Sequence, residues 1–402
     1  MAPPRRRATA QGIDPTRAPE FFAPCPKGLE AALAEELTAL GLSGVTAGSA
    51  GVAFGGDWAA CYRANLESRI ASRVLWRVAY GHYRAEDDVY RVALDLPWHV
   101  WFRVDHTIRV DVTAVASPLK SLEFITLRIK DAVCDRFRAH CGRRPSVDTA
   151  RPDVRIQAFL TASEVTLYLD TSGEPLFKRG WRRHAVEAPL RENLAAGILR
   201  LTGWTGAEPL FDPMSGSGTF LVEAAQIARG VAPGLGRSFG FEKLAFHDAA
   251  LWARVRGEAQ ARVRPPGACL VYGADRDANA LAASRSNLRD AGVADAVHLE
   301  RADVLAVEPP GDGGVVVMNP PYGIRIGDAD RLAAFYPQLG DALKQRFAGW
   351  RVFVFSADLR LPRLIGLRAQ RRTPLFNGAL ECRLYEYRMV AGTLRKRAPE
   401  PA

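Results

Sequence analysis

The sequence predicts an α/β chain: a doubly wound, mostly parallel sheet in the carboxyl-terminal half, preceded by two smaller α+β units. Short apolar runs at 209–211, 269–273, 296–299, 315–318 and 351–355 alternate with stretches of helical periodicity. That is the pattern of parallel strands joined by helices. The run Val315-Val316-Val317-Met318 is too short for a helix and apolar at every position, so it reads as a strand covered on both faces. Asn377-Gly378, between segments 370–376 and 381–389, is a strong hairpin signal and adds an antiparallel pair to the sheet.

At 402 residues the chain is long enough for two or three domains, and its 48% apolar content is ordinary for a globular protein. A net charge of +10 favours a polyanionic partner, nucleic acid first and an anionic membrane surface second. No run approaches the apolar length needed to cross a bilayer, so no membrane partner is expected. Residues 1–18 carry arginines and prolines but no apolar stretch of a signal peptide, and read as a disordered basic tail. Six cysteines (Cys25, Cys61, Cys134, Cys141, Cys269 and Cys382) form no C-x-x-C pair. Their scatter argues against structural zinc or a disulfide framework and fits a reducing cytoplasm. His184 has no ligand types around it, and no metal is expected.

Residues 19–80 read as the first α+β unit. Leu29, Leu33, Leu37 and Leu40 recur at helical spacing and Gly41 stops them; a strand at 52–54 and a helix at 59–66 follow. The second unit spans 81–172. Ile108, Val110, Val112 and Ala114 alternate with Arg109, Asp111 and Thr113 as a strand; Leu122, Ile125, Ile129 and Val133 then mark a helix face. Strands at 154–160 and 165–170 complete it. Lys120, Arg128 and Lys130 in and beside this helix, with Arg143 and Arg144 beyond it, make a positive surface suited to phosphates. A basic linker, 173–187, places Lys178, Arg179, Arg182 and Arg183 around Trp181. Basic residues interleaved with an aromatic suit a single strand with unstacked bases; a linker packed by Trp181 explains the pattern equally well. The third unit, 188–392, opens with helical spacing at Leu190, Leu194, Ile198 and Leu201.

The third unit holds the chemistry. Asp212-Pro213-Met214-Ser215-Gly216-Ser217-Gly218-Thr219 joins a strand to a helix at 220–229. Glycines admit a ligand close to the backbone, and the helix start offers free N–H groups. Leu221 stands where a dinucleotide fingerprint has its third glycine, and an acid precedes the loop. The loop therefore suits a zwitterion, with N–H groups toward a carboxylate and Asp212 toward an ammonium. Asp275 ends the next strand, where a carboxylate accepts from ribose hydroxyls, and Asp303 follows the one after, placed for an adenine amino group. The distance from glycine loop to Asp275, about sixty residues, implies a looped-out insertion at 230–266. Asn319-Pro320-Pro321-Tyr322-Gly323 then ends the central strand. Two prolines without N–H groups stiffen a corner that presents the Asn319 side-chain oxygen and the Pro320 carbonyl beside the Tyr322 ring. Such a corner accepts both hydrogens of a planar amino group.

This order of glycine loop, acids and Asn-Pro-Pro-Tyr resembles the S-adenosylmethionine site of class I (Rossmann-like) methyltransferases that modify exocyclic or amide nitrogens. Residues 81–172 resemble a THUMP domain, an RNA-binding module, preceded by its ferredoxin-like partner. Over residues 20–390 the chain resembles the L-type 23S rRNA guanine-N2 methyltransferases. Gly28-Leu29-Glu30, Asp131-Ala132, Asp212-Pro213-Met214, Ala232-Pro233-Gly234-Leu235 and Asn319-Pro320-Pro321-Tyr322-Gly323 carry the likeness. The resemblance implies S-adenosylmethionine as cofactor, held by Asp212, Met214, Gly216, Gly218, Thr219, Asp275, Asp303 and Asn319. It implies Asn319, Pro320 and Tyr322 as catalytic residues, and 23S rRNA or a large-subunit precursor as partner, in the cytoplasm. Ser215 departs from the cysteine of many relatives. A fused half that makes N7-methylguanine in some bacteria has no counterpart here, so dual activity is not expected. An adenine-N6 DNA methyltransferase, a glutamine-amide methyltransferase and a non-catalytic RNA-binding assembly factor are the other readings.

Overall fold

The computed structural model describes residues 11–12, 19–182, 190–265, 267, 270–321 and 328–390. Arg183, His184, Cys269, Tyr322 and Gly323 lie outside them. In chain order the first elements are β1 (Gln11–Gly12), β2 (Glu20–Pro24), α1 (Glu30–Ala39), β3 (Ser43–Ala47), β4 (Gly51–Gly55), α2 (Trp58–Glu67) and β5 (Leu75–His82). Next come α3 (Glu86–Leu94), α4 (Trp98–Trp101), β6 (Ile108–Ala114), α5 (Leu122–Cys141), β7 (Val154–Leu160) and β8 (Glu164–Asp170). The remainder comprises α6 (Glu192–Thr202), β9 (Leu210–Asp212), α7 (Thr219–Arg229), α8 (Ala249–Ala261), β10 (Val271–Asp275), α9 (Ala278–Asp290), β11 (Val297–Arg301) and β12 (Gly314–Met318). Last are α10 (Asp328–Arg346), β13 (Trp350–Ser356), α11 (Leu361–Leu364), β14 (Arg371–Asn377) and β15 (Leu380–Arg388). The chain divides into two units. One holds the residues up to Cys25, Glu30–Arg179 and Ala232–Ala261; the other holds Pro26–Leu29, Gly180–Val231 and the chain from Arg262.

A single eight-stranded sheet runs through the first unit in the order β3-β4-β2-β5-β8-β7-β6, with β1 on β5. The two α+β units read from the sequence thus share one sheet, and β5 joins them by pairing with both β2 and β8. Gln11–Gly12, expected in a disordered tail, instead pair with Ala79 and Tyr80 of β5. Strand β5 escapes period-two reading because Leu75 and Trp76 are both buried and its register shifts between Arg77 and Ala79. Helix α5 starts where the Ser121 hydroxyl accepts from Phe124 N and stops at left-handed Gly142; Ile125, Ile129, Val133 and Phe137 form its buried stripe. The 230–266 segment is not looped out. Its Gly234 N donates to Leu66 O and its Ala245 N to Trp101 O, while Trp252 meets Tyr62 and Phe241 edge-on. Aromatic burial makes α8 part of the first unit's core.

The second unit is a seven-stranded sheet in the order β11-β10-β9-β12-β13-β15-β14. Strands β9 to β13 run parallel, and β15 is antiparallel to both its neighbours. Every residue of β12 is buried, as a strand covered on both faces must be. Phe211, Val316, Met318, Val352 and Val354 pack with Tyr336, Leu339, Leu343, Tyr385 and Tyr387 into one core cluster. The hairpin turn is Gly378-Ala379, one residue beyond the dipeptide that signalled it, with Gly378 at φ +65°. On β10, Gly273 leaves room for Leu221: a Cβ there would collide with the leucine's methyl group. The close helix–strand approach that a fingerprint obtains from its third glycine is reached here with the small residue on the strand side.

Gly340 of α10 faces the backbone of Ile365, and a Cβ at that position would overlap the Ile365 carbonyl oxygen. Backbone cannot swing aside as a side chain can. Gly340→Ala is expected to destabilise the second unit by about 1–3 kcal/mol, despite alanine's better helix propensity, read as a lower midpoint in chemical denaturation.

Candidate active site

Four adjacent parallel strands deliver the predicted site residues to one edge of the second unit's sheet. Asp303 lies two residues past β11, Asp275 ends β10, Asp212 ends β9 and Asn319 follows β12. Three inter-strand steps separate the outermost two, roughly 14 Å. Between β9 and β12 the order of connection reverses, and ligands of open α/β sheets bind in the crevice at such a point.

The glycine loop bends through Gly216 (φ +54°) and Gly218 (φ +79°), both left-handed. A Cβ on Gly216 would meet nothing within 4 Å, so its outer side is open; one on Gly218 would stand 2.9 Å from Ser284 Oγ. The loop is held from below by α9. Ser284 Oγ donates to Gly216 O at 2.8 Å and Asn287 Nδ2 to Ser217 O at 2.9 Å. Gly216 N donates to Asp275 Oδ2 at 2.9 Å, and Asp277 N to the other oxygen at 2.9 Å. Ser284 and Asn287, three apart and wholly buried on a helix, were missed in the sequence, although buried polar residues at that spacing signal a satisfied backbone segment nearby. Met214 is half-buried against the sheet core. Asp303 accepts from Leu305 N at 2.9 Å, with Arg276 Nη1 3.9 Å away.

Asp212 is the electrostatic anomaly. Its carboxyl is buried and accepts from Met214 N at 3.1 Å. No cation pairs with it among the described residues. Burial pushes its pKa up to about 8, the Met214 N–H pulls it down somewhat, and the Asp275 carboxylate adds to the rise. Beside it, Ser215 Oγ is buried without a hydrogen-bond partner. A buried carboxyl lacking a cation, an orphaned hydroxyl and an open glycine loop suit a ligand that brings a positive charge and hydrogen-bonding groups of its own.

At the corner, Asn319 is half-exposed and Pro320 buried, while Pro321 is exposed. The catalytic expectation for Tyr322 falls on a residue outside the described ones.

The basic residues separate into different fates. Lys120 and Arg144 are exposed. Arg128 pairs with Asp87 at 2.5 Å and lies over the Tyr90 ring; Lys130 pairs with Asp131. Arg143 pairs with Asp105 at 2.6 Å and Lys178 with Glu174 at 2.6 Å, both at the surface. Arg179 and Arg182 correct the sequence reading. Arg179 is buried and donates to Leu176 O at 2.7 Å and Arg69 O at 2.6 Å. Arg182 is spent on Glu192 at 2.9 Å, Leu190 O at 3.0 Å and Thr219 Oγ1 at 2.8 Å. It braces the start of α7, and the Thr219 hydroxyl expected to face a cofactor accepts from it instead. Trp181 is likewise buried and offers no face to a base. In a linker, cations and an aromatic can fill an interior as readily as a surface.

Fold and site together define an S-adenosylmethionine-dependent class I methyltransferase. Residues 179–386 match the family described as the RMKL-like methyltransferase domain, and the chain belongs to that family. Residues 83–170 match the THUMP domain and 20–75 the RlmL ferredoxin-like domain. The chain is 43% identical over 391 residues to the ribosomal RNA large subunit methyltransferase K/L of Aeromonas hydrophila, covering 92% of this chain and 54% of that protein. It thus spans about half the length of the curated relatives it matches. Among solved structures it is similar to SMU.472, a putative methyltransferase complexed with SAH (TM-score 0.85, 29% identity, covering 94% of this chain and 100% of that one). It is also similar to a predicted N6-adenine-specific DNA methylase from Listeria monocytogenes (TM-score 0.84, 30% identity, 93% and 97% covered).

The raised pKa of Asp212 has a thermodynamic signature. Its folded value, about 8, lies above the ordinary 3.8. The stability this group contributes is therefore complete below about pH 4 and lost as pH rises through about 8. In ligand-free protein, Asp212→Asn is expected to gain stability over the parent as pH rises from about 5 to about 9, on the order of a few kcal/mol at the upper end. Parallel denaturation curves at each pH measure it; equal slopes in the two proteins would refute it.

Proposed function

We propose that this protein transfers a methyl group from S-adenosylmethionine to the exocyclic N2 of a guanine in ribosomal RNA, most naturally 23S rRNA or its precursor, in the cytoplasm. The observation that carries the reading is the Asn319-Pro320 corner at the carboxyl end of the buried strand β12, directly across the crevice from the glycine loop. Family membership, the THUMP match and the ribosomal RNA methyltransferase named among the relatives support RNA as the substrate. Asp212 would face the ammonium of the cofactor, Gly216 and Gly218 its carboxylate end, Asp275 the ribose and Asp303 the adenine; Met214 and Thr219 shape the loop.

When bound, the cofactor supplies a methyl group already activated by its sulfonium. What remains for the chain is to position a weak nucleophile and keep water away. Guanine N2 is weak because its lone pair is delocalised into the ring. The Asn319 side-chain oxygen and the Pro320 carbonyl accept its two hydrogens, pyramidalise the nitrogen and aim the lone pair. Both oxygens stabilise the positive charge that grows on nitrogen more than they stabilise the neutral amino group. Tyr322 would stack on the base. A paired guanine cannot reach such a corner, so the target is flipped out or single-stranded. Lys120, Arg128, Lys130, Arg143, Arg144 and Lys178 remain the proposed phosphate contacts of the first unit.

A second reading, adenine N6 as the acceptor, is favoured by one observation: the similar structure described as an N6-adenine-specific DNA methylase. The same corner accepts an adenine amino group. Incubation with labelled S-adenosylmethionine and either rRNA or DNA, followed by nucleoside mass spectrometry, separates the two. N2-methylguanine is expected; label only in N6-methyladenine would overturn the assignment.

Asn319→Ala is expected to lower kcat by about 10²-fold or more, as loss of an oxygen aimed at developing charge does, while cofactor affinity by calorimetry changes little. Near-parental turnover would remove the corner from the mechanism. Cofactor affinity itself should rise between about pH 6 and about pH 8 as Asp212 ionises, and Asp212→Asn should abolish that rise.

A further inference from the structure

Beyond the corner, on the same side of the sheet, the second unit has a cleft of about 410 Å³ lined by Leu359, Arg360, Pro362, Arg363 and Arg372. None of the residues assigned above to the cofactor or the methyl acceptor lines it. We propose that this cleft binds a backbone phosphate of the substrate RNA strand next to the target nucleotide. The inference rests on the proposed function, since it takes the acceptor to be a nucleotide in RNA.

Register places the cleft. Met318, which precedes Asn319, is level with Val354; Val354 is level with Tyr385; Tyr385 is level with Arg372. One row across four strands therefore runs from the corner to Arg372, roughly 14 Å at the usual strand spacing. The segment holding Arg360 and Arg363 follows β13 at its carboxyl end, the edge from which Asn319 leaves β12. A strand whose base enters the corner and which runs along this edge passes the cleft in one of its two directions.

Charge argues for phosphate. The Arg360 guanidinium is neutralised by Asp358, with contacts of 3.0 and 2.9 Å to its two oxygens. Arg363 and Arg372 are exposed and have no carboxylate in ion-pair reach among the described residues. Two exposed guanidiniums without a carboxylate partner line one concavity, and an anion placed there can bond to both. Arginine forks match the paired oxygens of a phosphodiester, and such contacts release counterions from the strand. Leu359, 55% exposed at the rim, adds an apolar surface against which a ribose or base can rest. By contrast, most arginines of the first unit's basic surface are already paired with aspartates.

The test uses the full chain and an rRNA fragment that the parent protein methylates. Arg363→Ala/Arg372→Ala is expected to raise KM for that RNA about tenfold, leave cofactor affinity unchanged, and reduce the slope of log affinity against log salt by about 0.7, the loss of one phosphate contact on a single strand. Arg363→Lys/Arg372→Lys should recover most of the affinity, which separates a charge role from misfolding. An unchanged KM and salt slope in the alanine variant would overturn the inference and leave the proposed function standing. If the parent methylates no rRNA fragment, the proposed function itself fails and this inference with it. Inorganic phosphate and polyglutamate are the competitor arms. Competition by either as strong as that of the RNA, charge for charge, would mark a small-anion or acidic-peptide site and also overturn it.

Discussion

The second unit depends on the three residues of β9. Leu210 and Phe211 are hydrogen-bonded between β10 on one side and β12 on the other, with Leu210 N donating to Leu270 O at 2.7 Å and Val315 N to Pro209 O at 2.9 Å. Because β10 and β12 are reached by connections leaving in opposite directions, their following loops diverge and a crevice opens above β9. The glycine loop grows from its end, so a shift of β9 would move the loop and the Asn319 corner relative to each other. Burial of all three residues fixes the strand on both faces. A short strand so clamped has no freedom to slip register, since a one-residue slip would send Asp212 to the opposite face.

Rigidity of the loop is the second consequence. Its carbonyls are taken by Ser284 and Asn287, the Gly216 N–H by Asp275, and the threonine that opens α7 by Arg182. Groups fixed before a ligand arrives spend less binding energy on ordering. Asp212 stands apart, buried with a single donor and pushed toward neutrality. A site rigid in its hydrogen bonds and deficient in one positive charge is complementary to a cation carried on a polar ligand, and poorly complementary to the pyrophosphate of a dinucleotide.

What was legible in the sequence follows from how strongly burial constrains each segment. Strands β9, β12 and β13 were readable because a strand covered on both faces must be apolar along its length, and Asn319-Pro320 because prolines fix backbone geometry locally. The acids were readable because strand ends position them one by one. Strands β3 and β5 were not. The former is mostly exposed, so it carries no alternation, and the latter buries consecutive residues in the middle of a sheet whose neighbours lie far away in sequence. Helix α8 reads as an insertion in the linear sequence because its partners, α2 and the aromatic residues Tyr62 and Phe241, are nearly two hundred residues distant or enclosed within the same excursion. Arg179 and Arg182 show the same limit: a guanidinium's destination is set by carbonyls and carboxylates that the linear sequence does not bring together.

These fates bear on what a net charge of +10 means. A cation already paired with a carboxylate gives up that pair before it can meet a phosphate, so its contribution to binding a strand is a difference rather than a full contact. Arg128, Lys130, Arg143 and Lys178 are of this kind. Lys120, Arg144, Arg363 and Arg372, by contrast, have no ion-pair partner among the described residues and are all exposed. Under the proposed function, counterion release from RNA is carried first by such unpaired charges. The salt dependence of binding should therefore follow unpaired, exposed cations such as these rather than the overall count of basic residues, and Arg363 and Arg372 lie beside the edge of the sheet from which the Asn319 corner emerges.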